Sequence, residues 1–542
     1  MNAKTKNRLG LIFYFFAILH IFYSFYLATS PTIWFDEIYS MLFAFRPAKE
    51  LISLTAQDVH PPLYYLILRV FLLMANTFVP ALGSETVAKM VSIIPYILMM
   101  IISITYIRKR WGFFVSGLYI FSLCFMPEIM QKTVEIRMYG WALLFVTGLG
   151  LHFIDIITNR NENSFKDITN YFAIFVYSVA AIYTHYFAAI AVFWIYLGAL
   201  FIIVAEYIKN RNNGLVLSKN LLRKIIAIIA SGFIAVICYI PWISVVLSQV
   251  RAVKADYWIY PLSIKAPYSS AMFLLRANFP ILIIGTALAV LFIVILLRLM
   301  YDQFCKAKNG DIESVMVIYA FCILPLVAVT GYLLSWLIRP IFIDRYLEPS
   351  AGMFWLAISL IIGKSLNDQK DNKKHSLRNI AVYIALLLLC INAVVDSSVF
   401  YRSETNIRER GKEFNKMLSS IDEDTIIVTN SDLIQSVVTY SLNTDRRVFT
   451  EGEKYNQIAN YKTYLYGSEL KTLISEMLPG FFIIDEDKEL KKYIDSGKEI
   501  IFMTYSGDIE YITKLEKTFG IDVVLEGSYF YDHYDIDVMT VK

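Results

Sequence analysis

Long apolar runs alternate with short polar segments along residues 1–397 of the 542-residue chain. A membrane-spanning helix needs about 20 apolar residues. Runs of this kind predict eleven spans, near residues 9–29, 85–107, 112–127, 138–157, 170–184, 187–206, 221–247, 276–299, 314–337, 345–363 and 379–397. The stretch 170–206 would be roughly 55 Å long as one helix, so it is expected to turn back at Thr184-His185-Tyr186.

The amino-acid composition supports a membrane protein. Hydrophobic residues make up 57% of the chain and charged residues 18%, whereas a typical soluble domain has about 25% charged residues. The formal net charge is only +4, which gives no reason to expect a nucleic-acid partner. The five cysteines lie mostly inside apolar runs and form neither a disulfide framework nor a zinc-type spacing.

The distribution of Lys and Arg orients the predicted spans. One further apolar run, residues 63–81, would invert every later loop if it crossed the membrane. When it is placed on the membrane surface, the inner segments hold 21 Lys and Arg in 77 residues and the outer loops hold 11 in 111 residues, as the positive-inside rule requires. We therefore predict a multi-pass cell-membrane protein with a cytoplasmic N-terminus and a first outer loop, residues 30–84, that contains interfacial helices.

The chain changes character after residue 397. Residues 398–542 are more polar and alternate apolar strand-like runs with amphipathic helical stretches such as IRERGKEFNKML. The strand-like runs are TIIVT at 425, FFIID at 481, EIIFMT at 499 and DVVLE at 522. This pattern predicts an extracytoplasmic α/β domain over 398–542, following a transmembrane domain over 1–397. The segment contains no nucleotide-binding or hydrolase motif.

Ionisable residues gather at the outer ends of the predicted spans and are rare at span centres. A charge inside a membrane is costly, so its position is informative. A proton- or ion-coupled transporter more often carries carboxylates at mid-depth, near broken helices. The pattern therefore favours a site at one membrane face. The residues at the outer ends are Asp36, Glu37, Asp58, His60, Glu128, Lys132, Glu135, Arg137, His185, Asp344, Arg345 and Glu348.

Two short motifs in the first outer loop each have a structural and a functional interpretation. In WFDEIYS, Asp36 and Glu37 could cap a helix at the interface, or could supply a general base or a metal ligand. In DVHPPLYY, Asp58 is predicted as the N-cap of a helix that the prolines open. His60 is then either incidental or part of a site close to the membrane surface.

The charged residues of two later motifs are equally open to interpretation. In MPEIMQKTVEIRMYG, Glu128, Lys132 and Glu135 recur at helical spacing and would share one helix face. They could form an ion-pair ladder or part of a site. Arg137 in that motif and Arg345 in FIDRYLEPS could extend to the membrane surface with no further role, or could hold a phosphate group.

Taken in order, WFDEIYS, DVHPPLYY, EIRMYG, YTHYFA and IDRYLEP closely resemble the motifs of bacterial protein-mannosyltransferase-like glycosyltransferases, family thirty-nine of superfamily C. The wider group includes lipid A aminoarabinose transferase and the eukaryotic protein O-mannosyltransferases. The resemblance covers about residues 10–360 and implies a polytopic α-helical membrane fold of the superfamily C type. It provides no counterpart for the C-terminal domain.

The resemblance also implies a reaction and a set of site residues. Members of the family transfer a sugar from a polyprenyl-phosphate donor, which implies inverting transfer to an acceptor hydroxyl with Asp36 as the base and Glu37 beside it. His60 stands where relatives can carry lysine, and it departs from the family pattern there. The positions implied to bind substrate or phosphate are His60, Glu135, Arg137, Tyr139, His185, Arg345 and Tyr346.

Several alternatives stay open at this stage. The acceptor could be a lipid, a glycan or a protein, since no motif distinguishes them. No cofactor is assigned, although the adjacent acids leave a divalent cation open. A flippase or transporter of lipid-linked sugars is the main non-enzyme alternative, and a glycan-binding membrane protein that acts through its outer domain is another.

Overall fold

The computed structural model describes residues 2–158, 164–212, 219–255, 258–366, 373–455, 457, 459–467 and 473–542. Helices occupy most of the first 418 residues, and a mixed helix and strand unit follows. The helices are α1 (Ala3–Leu27), α2 (Phe35–Phe45), α3 (Ala48–Thr55), α4 (Leu63–Phe78), α5 (Ser84–Ile102), α6 (Arg108–Phe125), α7 (Tyr139–Thr158), α8 (Ser164–Ile182), α9 (Tyr186–Asn212), α10 (Lys219–Ala255), α11 (Ala266–Phe273), α12 (Leu282–Lys308), α13 (Ile312–Leu337), α14 (Glu348–Ser365), α15 (Lys373–Leu418), α16 (Asp432–Asn443), α17 (Leu473–Met477), α18 (Asp487–Ile494) and α19 (Ile509–Phe519). Three further helical turns are Ser103–Ile107, Met130–Thr133 and Asp344–Leu347.

Within the described ranges, nine helical stretches are long and apolar enough to cross a membrane. One of them, Ser84–Phe125, has 42 residues and contains both α5 and α6. The chain reverses at Gly112, inside the bounds of α6, where φ is 89°, and Ser103 Oγ donates a 2.8 Å hydrogen bond across the reversal to the Ser116 carbonyl. In α8, the apolar part Ile168–Ile182 is shorter. The chain is thus a multi-pass membrane protein, and its number of crossings stays a prediction.

Segments that were predicted to be inner meet at one end of the helix bundle. Lys6, at the start of α1, donates a 2.8 Å hydrogen bond to the Leu366 carbonyl just after α14. Arg110 lies 2.5 Å from Asp155, near the end of α7. The segments that were predicted to be outer meet at the opposite end, where the candidate site lies.

Two glycines allow α1 and α6 to pack backbone against backbone. A Cβ atom built at Gly10 or Gly117 would lie 2.3 Å from a carbonyl oxygen of the facing helix. Small residues at a crossing of membrane helices permit such a close approach. This contact holds α1 firmly, and with it the loop that leads to α2.

The C-terminal unit contains a six-stranded sheet in the order β3-β2-β1-β4-β6-β5. Strands β1 to β4 pair in parallel, and β5 and β6 form an antiparallel hairpin on β4. The sequence predicted β1, β3, β4 and the start of β5 and missed β2 and β6. The bounds are β1 (Ile426–Thr429), β2 (Lys462–Tyr466), β3 (Phe481–Ile484), β4 (Ile500–Tyr505), β5 (Val523–Tyr531) and β6 (Tyr534–Val541).

Helix α15 joins the membrane part to the C-terminal unit without a break. It runs for 46 residues, so the predicted domain boundary at 397/398 falls inside it. The stretch IRERGKEFNKML is helical, as its pattern indicates, but it continues the last apolar helix instead of forming a separate one. No loop separates the two parts of the chain at this point.

The run predicted as an interfacial helix forms α4, which packs on the C-terminal unit. Arg69 in α4 donates a 2.7 Å hydrogen bond to the Phe449 carbonyl. Ser84, which follows this region, donates a 2.7 Å bond to the Arg446 carbonyl. Both the middle of α4 and the chain after it touch residues 446–449, so α4 lies beside the C-terminal unit, and its position at the outer membrane surface stays a prediction.

Candidate active site

The end of the bundle that is predicted to be outer brings Asp36 together with two arginines that are far apart in the sequence. Arg345 Nη1 donates a 3.3 Å hydrogen bond to Asp36 Oδ2, and Arg137 Nη2 lies 3.7 Å from the same oxygen. Arg137 Nη1 also donates a 3.0 Å bond to the Asp36 carbonyl. The Asp36 side chain is 21% exposed, so solvent reaches it. Among the predicted residues, these three form the centre of the candidate site.

Glu37 has a different environment from its neighbour, because it is buried and caps α2. Its Oε2 accepts a 3.1 Å hydrogen bond from the Trp34 backbone N–H, and its Oε1 accepts a 2.7 Å bond from the Ile136 N–H. Burial raises the pKa of Glu37 to about 8, and Lys89 partly opposes this shift. Of the acidic pair, Glu37 thus makes the helix-capping contacts, whereas Asp36 contacts the arginines.

Irregular backbone positions both arginines at the heads of helices. Arg137 precedes α7, and Arg345 lies in the short helical turn Asp344–Leu347 before α14. The Nε atoms of both arginines and the Tyr139 hydroxyl are buried with no hydrogen-bond partner among the described residues. Buried polar groups normally have partners, so this concentration of unpaired donors indicates a binding site for an acceptor-rich group.

The predicted helical face of Glu128, Lys132 and Glu135 is wrong. Only Met130–Thr133 is helical in this stretch, as a single 3-10 turn, and Glu128 has a φ of 64°. Lys132 nevertheless forms an ion pair with Glu135 and lies 3.7 Å from Glu348. Burial alone would lower the pKa of Lys132, but these two carboxylates raise it, so the ammonium group stays charged.

The prediction that Asp58 caps a helix is also wrong. Helix α4 begins at Leu63 with Pro62 as its N-cap residue, while Asp58 Oδ2 lies 3.0 Å from His60 Nδ1. Burial acts to raise the pKa of Asp58, but the hydrogen bond and charge of His60, the Val59 backbone N–H and the charge of Arg137 together outweigh burial and lower that pKa. His60 is thus held by a carboxylate.

An aromatic cluster lies beside the arginines and contains the other predicted residues. The His185 ring centroid is 5.5 Å from that of Tyr139 and 5.2 Å from that of Tyr346. Burial, followed by repulsion from His60 and the arginines, lowers the pKa of His185 well below its usual range. Its Nδ1 accepts a 3.1 Å bond from the Phe187 N–H, so the neutral ring carries its proton on Nε2. His185 can donate a hydrogen bond but adds no charge.

Two cavities of contrasting chemistry lie close to the arginines, and the chain neighbours Arg345 and Tyr346 each line one of them. An apolar cavity of about 260 Å³ lies among α9, α10 and α13, and its walls include His60, His185 and Tyr346. A polar cavity of about 270 Å³ lies on the other side, and its walls include Arg345. The remaining polar walls are Glu37, Lys89, Glu128, Gln131, Lys132, Glu135, Glu404, Asp532 and His533.

Several residues of the polar cavity were not predicted as site residues. Lys89 lies within α5 and is buried, and a charge inside an apolar run is a signal that could have drawn attention to it. Asp532 and His533 come from the β5–β6 hairpin and carry no such signal. Within the described ranges, no group of three or more His, Cys, Asp or Glu side chains is arranged to hold a metal ion.

Comparison with solved structures finds the same fold in known proteins. The chain is similar to ArnT from Cupriavidus metallidurans in the apo state, with a TM-score of 0.51, 10% identity and coverage of 98% of this chain and 97% of that one. ArnT bound to undecaprenyl phosphate gives a TM-score of 0.51 at 12% identity, again with 98% and 97% coverage. The apo oligosaccharyltransferase of Archaeoglobus fulgidus gives 0.44 at 9% identity, covering 93% of this chain and 71% of that one.

The ArnT comparisons establish the class of fold. The protein shares the fold of ArnT over nearly its whole length, which confirms the predicted helical membrane architecture with a C-terminal α/β unit. The likeness extends through the C-terminal unit, for which the sequence motifs gave no counterpart. No protein-family model matches the sequence, and no curated protein matches it.

Proposed function

We propose that this protein is a membrane glycosyltransferase that moves a sugar from a polyprenyl-phosphate donor to an acceptor hydroxyl at the outer membrane face. One observation carries the proposal: Asp36 contacts two guanidinium groups, and one of them, Arg345, lines a polar cavity while its chain neighbour Tyr346 lines an apolar one. A lipid-linked sugar consists of an apolar chain, an anionic phosphate and a hydroxyl-rich ring, in that order. These parts match the apolar cavity, the arginines and the polar cavity. The fold, similar to that of ArnT with bound undecaprenyl phosphate, supports the same class of donor.

The proposed arrangement assigns each part of the donor to one region. The isoprenoid chain lies in the apolar cavity beside Tyr346, and the phosphate lies against Arg137 and Arg345. Arginine presents a planar fork of donors that suits phosphate oxygens, and both Nε atoms have no partner among the described residues. Neutral His185 donates a hydrogen bond from Nε2, while Tyr139 and Glu135 complete the surroundings.

The chemistry proposed is a direct displacement at the anomeric carbon. The acceptor oxygen forms a bond to that carbon as the bond to the phosphate oxygen breaks, and the acceptor proton passes to Asp36. The arginines stabilise the negative charge that develops on the leaving phosphate. Glu37 acts as a positioning residue that holds the first turn of α2. A single displacement of this kind inverts the anomeric configuration.

A phosphate at the two arginines also competes with Asp36 for them. In the ligand-free arrangement the carboxylate accepts the Arg345 bond, so this oxygen is already engaged. When phosphate oxygens take over the guanidinium donors, the carboxylate loses its partners and becomes available to the acceptor. Donor binding thus prepares the base.

A flippase for lipid-linked sugars is the second candidate, and the position of the charges argues against it. Transport across the membrane calls for polar groups along the pathway. The ion pairs near Asp36 are instead confined to one end of the bundle and do not continue along a path through it. The proposal assigns no residue to a metal ion and leaves the choice of sugar and acceptor open.

The experiment that tests the function is a transfer assay with purified protein in liposomes. Wild type, Asp36→Asn and the control Asp302→Asn receive a panel of undecaprenyl-phosphate hexoses and pentoses together with an acceptor-rich envelope extract. We expect mass spectrometry to detect transfer by wild type and Asp302→Asn, and at least a hundredfold less by Asp36→Asn. Asp302 is a suitable control because it pairs with Arg298 at the opposite end of the bundle. Lipid movement without transfer, unaffected by Asp36→Asn, would favour the flippase.

A further inference from the structure

The β5–β6 hairpin of the C-terminal unit ends in a tight turn. Tyr531 and Tyr534 are the last paired residues, so Asp532 and His533 form a two-residue turn. Asp532 has a φ of 55°, which suits the first position of this kind of turn and is tolerated by aspartate. The turn is therefore built to hold a short, rigid tip.

The hairpin tip packs on the four residues that lead directly to Asp36. Residues 531–534 face residues 32–35, so the two segments touch along their whole length. This contact joins the C-terminal unit to the first turn of α2. The facing pairs are Asp532 with Thr32, Tyr531 with Ile33 (N–H to hydroxyl, 3.3 Å), His533 with Trp34 (ring centroids 5.8 Å apart) and Tyr534 with Phe35.

Within the tip, only His533 is free to meet a ligand. Its side chain is 61% exposed, whereas that of Asp532 is 8% exposed. The two are joined by a 3.1 Å contact between Asp532 Oδ1 and His533 Nε2, which fixes the orientation of the imidazole. A residue that served only to join the two units would be buried between them. His533 instead faces the polar cavity that Arg345 also lines.

The lining of that cavity suits a sugar ring. Carboxylates accept hydrogen bonds from hydroxyl groups, and Lys89, Lys132 and His533 can donate to hydroxyl or ring oxygens. Trp34 supplies a flat apolar surface for the face of a ring. The volume of about 270 Å³ lies just below the range of roughly 300–1,000 Å³ that is typical of drug-sized ligands, which fits one ring and not an extended peptide.

We propose that the β5–β6 hairpin tip recognises the sugar of the polyprenyl-phosphate donor, and that His533 is the specificity-determining residue that contacts the ring. The inference rests on the proposed function, since it places the sugar next to the arginines that hold the phosphate. It gives the C-terminal unit a role in donor selection in addition to its structural contact with the loop before Asp36.

The test compares undecaprenyl phosphate, which is a phosphate monoester without a sugar, with undecaprenyl-phosphate sugars, which are diesters, and reads the difference between variants. Affinities of undecaprenyl phosphate and of a panel of undecaprenyl-phosphate sugars are measured by native mass spectrometry for wild type, His533→Ala, His533→Gln and Asp535→Ala. We expect wild type to bind at least one sugar-bearing lipid about tenfold or more tightly than undecaprenyl phosphate. His533→Ala should lose this preference without losing affinity for undecaprenyl phosphate, and His533→Gln, which keeps a hydrogen-bonding group, should regain part of it.

Asp535→Ala is the matched control, because Asp535 is an exposed residue of the same hairpin outside the cavity, and it should keep the wild-type preference. The inference is overturned if wild type has no preference for a sugar-bearing lipid, or if His533→Ala retains the preference. A loss of affinity for both kinds of lipid would indicate a structural role and would also overturn it. The proposed function fails on a separate result, which is that Arg345→Ala binds undecaprenyl phosphate as tightly as wild type does.

Discussion

Replacing Asp36 with asparagine is expected to strengthen the binding of undecaprenyl phosphate while it abolishes transfer. In the ligand-free protein, the Asp36 carboxylate occupies donors of Arg345 and Arg137. A phosphate must displace the carboxylate from these donors and also approach its negative charge. The Asp36→Asn variant removes the charge, keeps the shape of the side chain and leaves both guanidinium groups for the phosphate.

The size of the effect follows from the two ion-pair distances. At 3.3 Å and 3.7 Å, each pair has a Coulomb energy of about 5 kcal/mol at an effective dielectric constant of about 20. Most of this is offset by desolvation and by water, which reaches the 21% exposed carboxylate. A net gain of about 1–2 kcal/mol remains, which corresponds to roughly 5–30-fold tighter binding.

The assay is a titration of undecaprenyl phosphate into purified wild type, Asp36→Asn and Arg345→Ala in the same detergent. Arg345→Ala should change the affinity for undecaprenyl phosphate in the opposite direction, because it removes hydrogen-bond donors that bind the phosphate. We expect it to weaken binding at least tenfold. Equal or weaker binding by Asp36→Asn would refute the idea that carboxylate and phosphate compete for the arginines. A retained transfer activity in that variant would refute the role of Asp36 as base.

Three further predictions concern residues around the site. Burial raises the pKa of Glu37 from 4.5 to about 8. Between these two pH values the folded state therefore binds more protons than the unfolded state. The stability that protonated Glu37 contributes is full below pH 4.5 and is lost as the pH rises towards 8. The melting-temperature advantage of wild type over Glu37→Gln should accordingly shrink between pH 5 and pH 8. In Gly411→Ala, the new Cβ would lie 2.0 Å from Thr32 Cγ2. The free energy of unfolding should therefore fall by about 1–3 kcal/mol, and transfer activity should fall as well. His60→Ala should change the affinity for undecaprenyl phosphate less than threefold, because His60 is paired with a carboxylate.

Each of these predictions has a clear contrary result. A constant melting-temperature difference between pH 5 and pH 8 would contradict the raised pKa of Glu37. For Gly411, the control is Gly83→Ala, whose Cβ would meet its nearest neighbour at 3.7 Å, and equal stability of the two variants would contradict the tight packing. A tenfold loss of affinity in His60→Ala would mean that His60 contacts the phosphate directly.

The sequence predicts the centre of the site because membrane topology restricts where its residues can lie. Asp36, Arg137 and Arg345 each stand next to an apolar run at an end predicted to be outer. Helices that cross a membrane side by side bring such ends together, so sequence separation matters little. The distances between the three residues, and the division of roles between Asp36 and Glu37, depend on backbone turns that hydrophobic pattern does not encode.

The contribution of the C-terminal unit could not be predicted in this way. The contact between Ile33 and Tyr531 joins residues that are 498 positions apart, and no periodicity specifies it. Strand β6 was missed because it alternates aspartates with apolar residues in DIDVM, which weakens its apolar signal. The irregular stretch around Glu128 was mistaken for a helix because its charges happen to recur at helical spacing.

The most direct test of the central claim, that the two arginines hold the phosphate of a lipid donor and release Asp36, is an experimental structure of the protein with bound undecaprenyl phosphate in lipid nanodiscs. We predict phosphate oxygens within hydrogen-bonding distance of both Arg137 and Arg345, the isoprenoid chain in the apolar cavity among α9, α10 and α13, and Asp36 released from Arg345. A phosphate bound away from both arginines, or a chain that leaves this cavity empty, would contradict the account.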